Sequence, residues 1–255
     1  MNRKRSKYFI TLSKRKIRYL FIKKNSPITV VFFHGFMSDM IGAKPTAIQK
    51  FCRKQKLNFL KFEYSGHGKS TGKFIEGNIS KWTTDAKQLI KSKIKKDKNL
   101  IFVGSSMGSW IGLNLFPTFK KQIKGFIGIS SAPEFLEKLM WKKFSKKIKK
   151  TIMTKKIYYL EHGSFTYPLT KQLILDGRKN KVLNNKINLN IPIVLFHGTN
   201  DEVVPLNVSR RIFKIFRKSK KKLIKIKNGD HSLSRKSDLK KICNELNCMI
   251  KDQAL

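Results

Sequence analysis

Three side chains in this sequence have the chemistry needed for acyl transfer: Ser106, Asp201 and His231. A serine hydroxyl is a weak nucleophile at neutral pH until a base takes its proton during the attack. A histidine, with an ordinary pKa of about 6.5, can take that proton and return it to the leaving group. An aspartate can hold the imidazole in one tautomer and stabilise the imidazolium that forms. Together they form a candidate catalytic set.

The candidate nucleophile lies in a G-x-S-x-G pattern, Gly104-Ser105-Ser106-Met107-Gly108. The apolar run Leu100–Val103 before it predicts a strand buried on both faces of a sheet, and a helix-like pattern follows it. A serine at such a turn sits on strained backbone with its hydroxyl above the sheet, and side chains at 104 and 108 would collide with neighbouring backbone. The pattern alone also fits an ordinary strand–loop junction, but its flanking elements favour a nucleophile.

The candidate acid and base follow two later predicted strands. Asp201 comes after Ile191–Phe196, and His231 comes after Lys222–Lys227. Each residue alone also fits a surface turn, since Asn, Asp and Gly are common turn formers. Taken with Ser106, however, all three follow the carboxyl ends of predicted strands, where open parallel sheets place their sites.

Two backbone N–H groups are candidate donors to the oxyanion of a tetrahedral intermediate. One belongs to Phe36, which follows the strand Ile28–Phe33 and a His34-Gly35 pair, and the other belongs to Met107. On its own, the His34-Gly35 pair also fits a plain turn with a structural histidine.

His67 is a rival candidate for the base. It lies in the glycine-flanked turn Ser65-Gly66-His67-Gly68, after the predicted strand Leu57–Tyr64. Because His67 comes early in the chain and His231 follows the acid, we favour His231.

Strands and helices alternate along most of the chain, which predicts an α/β fold with a mostly parallel central sheet and helices on both faces. Ser80 is the predicted N-cap of a helix over Trp82–Ile94. The other predicted elements are an entry hairpin (Tyr8–Leu12 and Ile17–Ile22), a strand at Ile123–Ile129, and helices at Lys44–Lys56, Asn207–Arg217 and Leu239–Lys251.

The chain of 255 residues contains no linker-like stretch and no internal repeat, so we predict a single domain over 1–255. The alternation fades between 133 and 186, where lysines are frequent. We expect this segment to be a mostly helical cap over the site that shapes an acyl pocket. The alternative is a surface helix pair with no role in binding.

The formal net charge of +42 allows two interpretations. One is a basic face that attracts nucleic acid or anionic surfaces. The other, which we favour, is compositional drift, because lysine is spread along the whole chain. We therefore expect no specific nucleic-acid partner and at most a weak attraction to anionic surfaces.

The remaining composition bears on membranes, metals and location. No apolar run approaches the ~20 residues of a membrane span, and no secretory segment follows Met1. Cys52, Cys243 and Cys248 form no metal pattern, and we expect neither a metal nor an organic cofactor. An odd number of cysteines without a signal peptide favours a reducing compartment. We predict a cytoplasmic protein, with the mitochondrial matrix as the alternative.

The order serine, aspartate, histidine is that of an α/β-hydrolase triad, and the chain resembles that superfamily over nearly its full length. More closely, it resembles the abhydrolase-domain 10 group of mitochondrial acyl-protein thioesterases and acyl-glucuronide esterases, with their bacterial relatives. The segments that carry the resemblance are Phe32–Met40, Gly42-Ala43-Lys44, Phe62–Ser70, Gly77–Trp82, Val103–Trp110 and His197–Asp201.

By that resemblance, Ser106, Asp201 and His231 match the nucleophile, acid and base of a serine esterase or thioesterase. Two features depart from the group's pattern: Glu63, where an Asp is usual, and the lysine-rich cap. The implied substrates are acyl-protein or small-molecule esters and thioesters. The competing hypothesis is a non-catalytic protein of the same fold that binds polyanions through its lysines.

Overall fold

A computed structural model describes residues 7–162 and 165–252. Its strands are β1 (Lys7–Ile10), β2 (Lys16–Ile22), β3 (Ile28–Phe33), β4 (Asn58–Phe62), β5 (Asn99–Ser105), β6 (Ile123–Ile129), β7 (Ile157–His162), β8 (Phe165–Thr170), β9 (Ile193–Gly198) and β10 (Lys221–Ile226). Eight of these strands form one sheet in the order β1-β2-β4-β3-β5-β6-β9-β10, and β7 pairs with β8 in a separate hairpin.

The sheet is parallel from β4 to β10, and only the edge pairs β1–β2 and β2–β4 are antiparallel. The helices that surround it are α1 (Ala43–Lys54), α2 (Ile79–Lys93), α3 (Met107–Asn114), α4 (Phe116–Phe119), α5 (Lys146–Lys155), α6 (Lys171–Lys179), α7 (Asn207–Ile215) and α8 (Lys236–Lys251).

Helices cover both faces of the sheet, and this explains the unbroken apolar runs in its central strands. Along β3, Val31 and Phe33 belong to the core that includes α2 and α3, while Val30 and Phe32 belong to the core that includes α1 and α8. Successive side chains of a strand point to opposite faces, so a strand covered on both sides needs apolar residues at every position. The parallel sheet, covered on both faces, confirms the predicted α/β class.

The predicted N-cap of the second helix was wrong. The side chain of Asn78, not that of Ser80, accepts a hydrogen bond from the backbone N–H of Lys81 at 2.8 Å, and α2 begins at Ile79. Asn78 has the extended backbone typical of an N-cap residue, and asparagine is among the strongest capping residues.

The segment 133–186 lies between β6 and β9 and is less helical than expected. It contains a π-helical turn at Leu136–Met140, a 3₁₀ turn at Trp141–Lys143, α5 and α6, but also the antiparallel hairpin β7–β8. The run Ile157-Tyr158-Tyr159 is rich in residues that favour strands, and this signal was hidden among the surrounding lysines. That the segment acts as a cap stays a prediction.

Candidate active site

Ser106 occupies the turn between β5 and α3, with φ 51° and ψ −118°. A non-glycine residue at positive φ is strained and persists only where its surroundings hold it. Here the Ser106 N–H donates to the Ile129 carbonyl at 2.9 Å, and the Ser106 carbonyl accepts from the Ala132 N–H at 3.2 Å. Both contacts come from β6 and the residues after it, so the neighbouring strand fixes the strained turn.

The glycines of the G-x-S-x-G pattern serve close packing, as the sequence predicted. A Cβ on Gly104 would lie 2.5 Å from the Cα of Ser109, and a Cβ on Gly108 would overlap the carbonyl of Phe33. Helix α3 can therefore start directly above β3 and β5 only if both positions lack a side chain.

The structure brings Ser106, His231 and Asp201 together in one hydrogen-bonded line. The Oγ of Ser106 lies 3.1 Å from Nε2 of His231. Nδ1 of His231 lies 2.9 Å from Oδ2 and 3.1 Å from Oδ1 of Asp201. Because the carboxylate occupies Nδ1, it favours the tautomer in which Nε2 faces the serine as an acceptor.

Backbone N–H groups of its own loop also hold Asp201. Its side chain is fully buried, and Oδ1 accepts from the N–H groups of Val203 at 3.0 Å and Val204 at 2.8 Å. Burial alone raises the pKa of this carboxyl, but the hydrogen bond and charge of His231 and the Val204 N–H outweigh burial and leave the pKa below its ordinary value. Asp201 is thus an ionised, oriented partner for the imidazole.

His197, which the sequence analysis did not single out for a role, organises the same loop. Its Nε2 lies 2.9 Å from the Val204 carbonyl, and its Nδ1 lies 2.9 Å from the Ser209 hydroxyl. Burial lowers its pKa, so the ring is neutral, with Nε2–H donating to the carbonyl and Nδ1 accepting from the serine. The sequence signal for this role was the position of His197, at the end of a buried strand and four residues before the candidate acid.

The two predicted oxyanion donors belong to residues next to the Ser106 turn. The N–H of Met107 is the first of α3, and the first N–H groups of a helix have no partner within it. Gly35, next to Phe36, approaches the nucleophile so closely that an added Cβ would lie 3.5 Å from the Cβ of Ser106. In the part of the chain that the structure describes, neither N–H is among the backbone donors to a protein carbonyl outside helices and strands, so the oxyanion role stays a prediction.

The rival base, His67, is placed differently. It is buried, its Nδ1 lies 3.3 Å from the Ser65 carbonyl, and its Nε2 is buried without a hydrogen-bond partner. Burial, together with nearby His34, lowers the pKa of His67 to about 3. The ring of His67 thus packs among Tyr64, Phe74 and Trp82, and the histidine bonded to Ser106 is His231.

His34 has the structural role that the plain-turn alternative describes. It is buried, its Nδ1 lies 2.8 Å from the Gly35 carbonyl, and burial lowers its pKa to about 4. The neutral ring thus bonds to the backbone of its own turn at the end of β3.

Aromatic rings surround Phe36, and two of them come from the segment 133–186. Its ring centroid lies 5.3 Å from that of Phe135 and 6.1 Å from that of Tyr167, which stacks at an interplanar angle of 15°. Phe74 lies 5.0 Å away on another side. The predicted cap thus contributes an apolar wall directly beside one candidate oxyanion donor.

Within the described ranges, no group of three or more His, Cys, Asp or Glu side chains is arranged to hold a metal ion. In the same ranges, no helix combines the length and the apolar character that crossing a bilayer requires.

Comparison with known proteins gives the family. Residues 25–172, more than half of the chain, match the Hydrolase_4 family, described as serine aminopeptidase, S33. The chain belongs to this family. It is a hydrolase of the α/β-hydrolase fold, and the family description alone does not define its substrate.

Two individual relatives are more specific than the family description. The human palmitoyl-protein thioesterase ABHD10, mitochondrial, is 28% identical over 228 residues, which cover 88% of this chain and 72% of the human protein. The structure of alpha/beta hydrolase domain-containing protein 10 from mouse superposes with a TM-score of 0.88 at 24% identity and covers 98% of this chain and 99% of the mouse chain. These similarities confirm the resemblance drawn from the sequence motifs.

A more distant structural neighbour is Est1E from Butyrivibrio proteoclasticus, solved with ferulic acid bound. It has a TM-score of 0.79 at 22% identity, and the match covers 97% of this chain and 98% of Est1E. At that identity the likeness concerns the fold.

Proposed function

We propose that this protein hydrolyses carboxylic esters or acyl thioesters through an acyl-enzyme intermediate on Ser106. The observation that carries the proposal is the continuous line of hydrogen bonds from Ser106 Oγ through His231 to the buried carboxylate of Asp201. Positioned groups of this kind generate a serine nucleophile without any cofactor.

In the first half of the reaction, Nε2 of His231 takes the Ser106 proton while Oγ attacks the substrate carbonyl carbon. The tetrahedral oxyanion accepts hydrogen bonds from the N–H groups of Phe36 and Met107. As the intermediate collapses, the imidazolium gives its proton to the leaving alcohol or thiol, and the acyl group stays on Oγ.

In the second half, His231 takes a proton from water as the water oxygen attacks the acyl carbon. The second tetrahedral intermediate uses the same two N–H donors. Its collapse returns the proton to Oγ and releases the carboxylic acid, so the enzyme ends as it began. Asp201 stays ionised throughout and stabilises the imidazolium.

For the substrate, we favour S-acyl cysteine over other esters. The relatives named above are palmitoyl-protein thioesterases, and the rings of Phe36, Phe74, Phe135 and Tyr167 offer apolar surface beside the proposed oxyanion site. Acyl-glucuronide esters and small-molecule esters are the alternatives. The matrix location predicted as an alternative agrees with the word "mitochondrial" in the names of these relatives, whereas a cytoplasmic location stays a prediction.

The deciding test is hydrolysis of p-nitrophenyl esters of increasing acyl length and of an S-palmitoylated peptide, with wild type and Ser106→Ala side by side. We expect turnover by wild type and its loss in the variant, with a fluorophosphonate probe labelling only the wild type. Faster turnover of the S-acyl peptide than of a matched oxygen ester would support the thioesterase assignment. No turnover and no labelling of wild type would refute the proposal.

A second candidate function is the binding of polyanions through exposed lysines. Residues 142–156 contain eight lysines and no acidic residue, and most of these lysines are exposed. A surface of this kind binds polyanions with an affinity that falls steeply with salt. Two measurements test this function: the salt concentration at which the protein elutes from heparin, and the salt dependence of turnover of neutral esters. If elution matches that expected for the net charge alone and turnover does not change with salt, the lysines have no specific role.

A further inference from the structure

Lys44, in the first turn of α1, contacts the loop that carries His231. Its Nζ donates to the carbonyl of Ser232, the residue after His231, and lies 3.3 Å from the hydroxyl of Ser234. The two contacts join segments that are 188 and 190 residues apart in the chain. The sequence predicted Lys44 at the start of a helix and within a family motif, and the reaction described above gives it no role.

The loop that Lys44 contacts is strained. Leu233 has φ 45°, in the left-handed region that ordinary side chains avoid. The Leu233 N–H donates to Oδ1 of Asp230 at 2.8 Å, and the Leu233 side chain is buried. Backbone strain of this kind persists only where several contacts hold it. The Ser232 carbonyl lies directly between His231 and the strained Leu233.

Lys44 also differs from the exposed lysines that dominate this protein. Burial lowers its pKa, and the nearby carboxylate of Asp230 acts in the opposite direction. The side chain is only partly buried, but an ammonium group that loses part of its hydration still needs partners for its donors. The Ser232 carbonyl, the Ser234 hydroxyl and the charge of Asp230 supply that compensation, so the lysine and the loop stabilise each other.

We propose that Lys44 is a positioning residue for His231. By holding the Ser232 carbonyl, it keeps the imidazole within hydrogen-bond distance of Ser106 Oγ. This inference rests on the proposed function, because His231 must be the base for its position to matter.

The test compares Lys44→Met with Lys50→Met, which removes an exposed lysine from the same helix. We expect kcat on p-nitrophenyl esters to fall by about 10- to 100-fold in Lys44→Met, since small displacements of a reacting group cost this much. KM should stay near the wild-type value because no substrate contact is lost. Lys50→Met should keep both constants.

A misfolded variant would also lose turnover, so a second variant separates the two causes. In Lys44→Ala, propylammonium chloride can place a donor where Nζ was. We expect it to restore part of kcat, whereas tetramethylammonium, a cation without N–H donors, should not. Neither salt should change the kcat of wild type.

The outcomes are distinct. Wild-type kcat in Lys44→Met would overturn the inference, as would an effect on KM alone or an equal loss in Lys50→Met. Failure of propylammonium to restore kcat in a folded Lys44→Ala, judged by circular dichroism, would also overturn it. A wild type that turns over no ester would instead remove the proposed function, and this inference with it.

Discussion

Two loops of this protein look alike in sequence and differ in chemistry. Each follows the carboxyl end of a strand and contains a histidine in a turn with glycine, His67 after β4 and His231 after β10. The ring of His67 is surrounded by Tyr64, Phe74 and Trp82, and its Nδ1 lies beside a backbone carbonyl. The ring of His231 is partly exposed and lies between a carboxylate and a serine.

The comparison shows that a loop position alone does not make a base. Burial without a counter-charge makes the protonated form of His67 unstable, so it cannot carry a proton at neutral pH. His231 instead lies beside the Asp201 carboxylate and keeps access to solvent, from which water and substrate arrive. Proton transfer requires both features.

The largest expected difference between the loops is in turnover. His231→Ala should reduce kcat/KM by about 10⁴- to 10⁶-fold, because Ser106 would lose its proposed base. His67→Phe should keep most of the turnover, because the proposed reaction gives His67 no role. Parallel esterase assays of the two purified variants measure this. A large loss in a folded His67→Phe, with activity retained in His231→Ala, would reverse the assignment.

The next largest effect concerns the carboxylate that distinguishes the His231 loop. Asp201→Asn should lower kcat by about 10⁴-fold, because an amide can donate to Nδ1 and stabilise the wrong imidazole tautomer. KM should change little. Asn200→Asp, at the neighbouring position, is a matched control and should leave kcat close to wild type. Equal kinetics of Asp201→Asn and wild type would contradict the role of Asp201.

The buried histidines predict a pH-dependent stability. The pKa values of His34 and His67 fall to about 4 and about 3 in the folded protein, so below pH 6.5 the unfolded chain binds protons that the folded chain does not. The free energy of unfolding should therefore decrease as the pH falls from 6.5 toward 4, by up to about 1.4 kcal/mol per pH unit for each histidine.

His67→Phe sharpens this test. The variant should lose one histidine's share of the slope, while above pH 7 its slope should equal that of wild type. Urea unfolding between pH 4.5 and 8 measures both. Identical slopes in the acidic range would show that His67 is protonated in the folded state.

The smallest expected effect on turnover comes from the hydrogen bond between Ser209 and His197, which supports the Asp201 loop. Ser209→Ala removes the hydroxyl donor to Nδ1 of His197 and should lower the free energy of unfolding by about 1 kcal/mol. Because the bond between His197 and the Val204 carbonyl remains, kcat should drop only slightly. Thermal unfolding together with esterase kinetics measures both effects, and a loss of kcat as large as that of Asp201→Asn would show that this support is catalytically essential.

The sequence predicted the elements that depend on local pattern. Strands such as Ile28–Phe33 and Ile123–Ile129 carry continuous apolar runs because helices cover both of their faces, and the structure has both at the predicted bounds. Ser106 was recognisable because the tight turn needs glycines at fixed positions around it.

Features that depend on tertiary contacts could not be predicted in the same way. The approach of Asp201 to His231 requires the parallel register of β9 and β10, which pairs Ile226 with Gly198, and a Cβ at Gly198 would overlap the Gly229 carbonyl. The burial of His67 depends on aromatic side chains from other segments. The contact of Lys44 with the His231 loop joins residues that are 188 positions apart in the sequence.

The separation of the site residues along the chain has a consequence for folding. The hydrogen bond between Ser106 and His231 joins residues 125 positions apart, and it forms only when β9 and β10 have added to the sheet. Contacts between distant residues carry a large loop-closure entropy and slow the folding of sheet proteins. During refolding, helical signal should therefore return before esterase activity. The rate at which activity recovers then reports the rate at which β10 adds to the sheet.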